Sequence, residues 1–84
     1  MKKFDYTPKG VCSRKISVML NGDVIEDVTF SGGCMGNTQG IAALVRGMQV
    51  KDAVSRLSGI RCGFKSTSCP DQLAKALSLA AEEN

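Results

Sequence analysis

Residues 14–30, "RKISVMLNGDVIEDVTF", place two alternating stretches on either side of an Asn-Gly pair, which leaves this part of the chain little choice of local fold. In 14–20 the apolar Ile16, Val18 and Leu20 fall on every second position, the period of a strand with one face buried. Asn21-Gly22 is the dipeptide that best tolerates the positive φ angles of a two-residue hairpin turn. Residues 23–30 return with Val24, Val28 and Phe30 on one face. An antiparallel hairpin is expected, with residues 3–7 adding a third strand.

The rest of the chain reads as helices. Asn37 is a good cap for a helix that turns Ile41, Leu44 and Val45 inward and stops at Gly47. A second helix, 51–57, sets Val50, Ala53, Val54 and Leu57 at the i, i+3, i+4, i+7 spacing, and Ser58-Gly59 ends it. In the third, Pro70 suits the first helical position, with Cys69 or Ser68 as the cap. Asp71 then lies in the first turn, where the helix dipole favours a negative charge, and Leu73, Ala76, Leu77 and Ala80 form the buried stripe. The expected fold is α+β: a small antiparallel sheet with two or three helices on one face, in a single domain over residues 1–84.

Composition bounds the functions open to such a fold. Only Phe4, Tyr6, Phe30 and Phe64 are aromatic, and there is no Trp. A core this small calls for a staple, a metal or a partner chain. The net charge of +3 is mild and its basic residues are scattered, without stacking aromatics, so nucleic acid is not an expected partner. Arg46, Arg56 and Arg61 read as solvated. The amino-terminal "MKKFDYTPKG" has no apolar run behind its lysines, and no stretch is long enough to cross a bilayer, so a cytoplasmic protein is expected and a membrane is not.

In a reducing compartment, four cysteines point to metal or redox chemistry ahead of structural disulfides. Cys12, Cys34, Cys62 and Cys69 all sit on connections or element ends, away from the apolar stripes where a purely hydrophobic cysteine usually lies. There are 21, 27 and 6 residues between successive cysteines, so no CxxC pair exists. A zinc ribbon and a thioredoxin motif are excluded on pattern, and any site must be assembled by the fold from separate loops. A thiol at a helix mouth faces a backbone N–H array that favours the thiolate, the form that binds metal. Glycines around Cys34 would let backbone amides approach bound sulfur or an anion. The stake is large: a structural thiolate zinc site contributes roughly 10–16 kcal/mol apparent in finger peptides, against roughly 2–4 for a disulfide.

Other chemistry has little support. "GGCMGNTQG" lacks the GxGxxG and GK[ST] patterns of phosphate cradles. With no histidine, ordinary hydrolytic catalysis has no obvious base.

"STSCPD", residues 66–71, resembles the signature of the TSCPD family, and "GVCS", "FSGGCMGN", "IRCG" and "TSCPDQLA" follow the order of its small four-cysteine members across nearly the whole chain. Related domains form the carboxy-terminal part of ribonucleotide reductases, especially cobalamin-dependent ones. The resemblance implies thiol-based metal binding by Cys12, Cys34, Cys62 and Cys69, a ribonucleotide reductase subunit as partner, and deoxynucleotide metabolism as the setting. A looser resemblance is to U-type iron–sulfur scaffold proteins, whose three cysteines converge from three loops; by position these would be Cys12, Cys34 and Cys69. That family has an aspartate where this chain has Arg14 and a histidine where it has Ser68, and Cys62 could replace the missing ligand. The absent aspartate favours a permanent four-thiolate site over a labile scaffold.

Three readings follow. The preferred one is a metal-binding accessory module, holding zinc or an iron–sulfur cluster, tied to ribonucleotide reductase. The second is an iron–sulfur carrier or scaffold with an assembly protein as partner. The third is the family label of ribonucleoside-diphosphate reductase itself. That reaction needs a nucleotide pocket, a radical source and a redox cysteine pair, which 84 residues without CxxC can hardly supply. The lone chain is therefore not expected to be catalytic. A homodimer is open.

Overall fold

The computed structural model describes residues 2–10, 13–32, 35–61, 63 and 67–82. Strands β1 (Lys2–Tyr6), β2 (Ser13–Asn21) and β3 (Val24–Gly32) form one antiparallel sheet in the order β1-β2-β3. Helices α1 (Met35–Val45), α2 (Val50–Leu57) and α3 (Cys69–Glu82) follow. The α+β arrangement expected from the pattern is the one found, including the third strand at the amino end.

The alternation of β2 does what it predicts: Ile16, Val18 and Leu20 are buried, opposite Phe30, Val28 and Ile25 of β3. On the other side Tyr6 and Phe4 pair with Ile16 and Val18. Helix α3 lies over β2 and β1, α1 lies over β3, and α2 packs on α3. Leu73, Ala76, Leu77 and Ala80 fill the centre, as their spacing requires. Gly47, at φ 89°, takes the chain out of α1, and its N–H bonds to the Ile25 carbonyl at 2.8 Å. The Ile25 N–H in turn bonds to the Met48 carbonyl at 2.9 Å, so segment 47–50 covers part of the open edge of β3.

Several local expectations are corrected. The hairpin loop is Gly22-Asp23, with Asn21 still in β2 facing Val24. Gly22 alone takes a positive φ, 62°, as a turn with glycine at its first central position demands. Val24 is not inward; Ile25 is fully buried in its place. The cause is a β-bulge: Met19 pairs with Asp27 and Leu20 with Ile25, so Glu26 is the extra residue and the inward phase moves by one. A second shift leaves Arg14 as the extra residue between Ser13 and Lys15.

Helix α1 begins at Met35, ahead of the expected Asn37 cap. Its inward stripe is Thr38, Ala42 and Val45, with Ile41 alongside, and Leu44 is 78% exposed. Leu44 follows Ala42 by two residues, about 200° around the helix, so both cannot face the sheet. Arg46 is not simply solvated either. Its Nη2 donates to Asp27 Oδ1 at 2.8 Å, an exposed pair linking the end of α1 to the bulge of β3. Among the described residues no helix is long and apolar enough to cross a membrane.

Candidate functional site

The mouth of α3 carries the chemistry-bearing part of the described structure. Ser68 is the cap: its Oγ accepts from the Asp71 N–H at 3.2 Å and its carbonyl accepts from the Gln72 N–H at 2.8 Å. Cys69 is therefore the first helical residue, half-buried, and Pro70 the second, one position later than expected. The shift costs Pro70 nothing, because N–H groups in the first turn have no intrahelical acceptor. Ser68 Oγ has a second role. It donates to the Ile60 carbonyl at 2.6 Å, tying the chain before Cys62 to the residue before Cys69.

Around this cap runs a buried polar network that sequence periodicity did not reveal. Asp71 Oδ1 accepts from the Gly59 N–H at 2.7 Å, and Oδ2 accepts from Thr67 Oγ1. Gln72, only 2% exposed, donates from Nε2 to Thr67 Oγ1 at 2.9 Å. Its Oε1 accepts both the Tyr6 hydroxyl and the Lys9 N–H, each at 3.1 Å.

The direction of every bond is forced. A backbone N–H can only donate, so the amide oxygen of Gln72 must face Lys9 and its nitrogen must face Thr67. Thr67, already accepting there, must spend its proton on Asp71, and an ionised carboxylate is acceptor-only. Among the described residues no buried side-chain nitrogen or oxygen lacks a partner. The Thr67 hydroxyl, and after it the Gly59 amide, hold the Asp71 carboxyl below its usual range; burial opposes them, and Lys75 adds a smaller pull the same way.

Asp71 was expected only as a dipole-favouring residue of the first turn. It is also the fastening point for the turn that ends α2. Its spacing from Ser68, three residues, is that of a capping box, but the carboxylate turns away from the cap to Gly59 and Thr67. Gln72 had a readable signal too. It lies four residues before Ala76, on the apolar stripe, and a polar residue there needs buried partners.

Of the four expected metal ligands, Cys69 is placed at the mouth of α3. Cys12, Cys34 and Cys62 lie outside the described residues. Their flanks are described: Ser13 opens β2 and pairs with Gly32 at the end of β3, α1 starts at Met35, and Ile60 is held by Ser68. Gly10 lies against the same mouth, where a Cβ on it would stand 3.1 Å from Thr67 Cγ2.

A family model for the TSCPD domain matches residues 1–81. The chain belongs to the TSCPD-domain family. No curated protein and no solved structure matches it. In this TSCPD domain the residues that spell the name are Thr67, Ser68, Cys69, Pro70 and Asp71, and four of the five now have a local account. Ser68 caps α3, Pro70 occupies its first turn, and Thr67 and Asp71 close the polar network behind the thiol.

Proposed function

We propose that this TSCPD domain is a metal-binding accessory module in which the thiolates of Cys12, Cys34, Cys62 and Cys69 share one centre, zinc or an iron–sulfur cluster. The observation that carries this reading is the set of ties among the flanks of the four cysteines. Ser13, beside Cys12, is the register partner of Gly32, two residues before Cys34. Ile60, two residues before Cys62, is bonded to Ser68, beside Cys69. Lys9 and Gly10, just ahead of Cys12, lie against Gln72 and Thr67. These ties among the described flanking residues support a common site near the mouth of α3.

The donor chemistry fits a soft metal. The chain has no histidine, and the carboxylate in the first turn of α3 has both oxygens engaged by Gly59 and Thr67. Sulfur is the donor offered at this end, and soft thiolates suit zinc and iron–sulfur clusters. Four thiolates on zinc make a closed structural site, whereas a cluster supplies one-electron chemistry when bound.

Family membership supports a setting in deoxynucleotide metabolism beside a ribonucleotide reductase, in the reducing cytoplasm where thiolates persist. The module would assist another subunit's reaction. Cys69→Ser and Cys34→Ser should each lose bound metal and much of the thermal stability. A variant of either kind with full metal content and the parent Tm would refute a shared site.

A further inference from the structure

The polar network at the mouth of α3 does more than cap a helix. Three separate stretches meet on it: the turn after α2 through Gly59, the segment entering α3 through Thr67, and the β1–β2 connection through Lys9. In sequence, Cys62 and Cys69 flank the second stretch and Cys12 follows the third. Among the described residues every buried side-chain nitrogen and oxygen of the network has a hydrogen-bond partner.

We infer that Thr67, Asp71 and Gln72 form a metal-independent latch that holds these stretches together, so that the thiols on them are presented to a common centre before metal arrives. What the latch presents rests on the metal-site reading above; its existence does not. Asp71 is thereby a positioning residue and not a ligand. Oδ1 is bound to the Gly59 amide and Oδ2 to the Thr67 hydroxyl, so both oxygens are engaged within the protein, and Oδ2 ends the chain of donors that runs back through Thr67 and Gln72 to Lys9. A latch of this kind reduces the ordering that metal binding must otherwise supply. Outer partners that orient ligands typically alter affinity by about 10- to 100-fold when removed.

The test uses the full chain, reduced and stripped of metal under an oxygen-free atmosphere, with Thr67→Val and Thr67→Ser beside the parent. Valine keeps the shape and deletes the hydroxyl; serine restores it. Amide hydrogen exchange is followed by NMR at Gly59 and Lys9, and Co(II) is titrated while the thiolate-to-cobalt absorption is recorded. In the metal-free parent, both amides should be protected. Thr67→Val should speed their exchange about tenfold or more and weaken cobalt binding by about 10- to 100-fold, with the absorption band and stoichiometry unchanged. Thr67→Ser should recover most of both.

Amides that exchange in the metal-free parent as fast as in an unstructured chain would overturn the latch. Unchanged cobalt affinity in Thr67→Val, with the amides released, would overturn its part in presenting the thiols. A parent that takes up no cobalt sinks the metal-site reading and the presentation together, while the amide protection still decides whether the latch exists.

Discussion

The amide of Gly59 donates to the carboxylate of Asp71 across 2.7 Å, fastening the turn that ends α2 to the first turn of α3. Gly59 reaches this position at φ 86°, a conformation that other residues adopt only under strain. The acid at the third position of α3 thus serves two elements at once, and two bonds, Gly59 to Asp71 and Ser68 to Ile60, fasten the residues that precede Cys62 to those on either side of Cys69.

Gln72→Leu fills nearly the same space but leaves the Lys9 amide, the Tyr6 hydroxyl and one Thr67 lone pair without their partner. A buried group so stranded costs about 1–3 kcal/mol, and the exposure of Lys9 and the partial exposure of Tyr6 reduce the sum. A loss of about 2 kcal/mol or more is expected in urea unfolding at fixed metal content. A change below 0.5 kcal/mol would show that the network contributes little.

Ser68→Ala removes both the cap of α3 and the bond to Ile60. Loss of a cap costs about 1 kcal/mol, and the second bond raises the expectation to about 1.5–2. Ser68→Asn offers an alternative cap acceptor, so it should recover the helix part of the loss, as read by far-UV circular dichroism melts.

Glycine substitutions separate a strained position from an open one. Gly10 has φ 74° and space for a Cβ only by displacing Thr67 Cγ2, 3.1 Å away, so Gly10→Ala should destabilise by about 1 kcal/mol or more. Gly40 lies inside α1 with open space around it, and Gly40→Ala should stabilise by about 0.5–1 kcal/mol. Paired thermal melts of the two variants should move in opposite directions.

Leu77→Ala and Leu44→Ala test the face that each helix buries. Leu77 is fully enclosed, and its truncation should cost about 2–5 kcal/mol. Leu44 is exposed, and its truncation should stay within about 0.5 kcal/mol. Equal losses would contradict the placement of α1.

These contrasts also mark how far the sequence could be read. The stripes of α2 and α3 were legible because each repeats one period over several turns, from Val50 to Leu57 and from Leu73 to Ala80. Val24 and Leu44 misled for a common reason: hydrophobicity alone does not fix phase. The bulge at Glu26 exchanged Ile25 for Val24, and Thr38, a polar residue, took a place on the inward face of α1. The latch was hidden because its partners are distant in sequence: Tyr6 and Gln72 are 66 residues apart. Of the candidate site, the place of Cys69 at a helix mouth was readable from Pro70 and the stripe that follows.

The most direct measurement is elemental analysis of protein purified without oxygen, coupled to a thiol count before and after chelation. A shared thiolate centre predicts one equivalent of zinc, or iron with matching acid-labile sulfide, and cysteines that resist alkylation until a chelator is added. Protein free of zinc and iron, with all four thiols alkylated at once in the folded state, would contradict it.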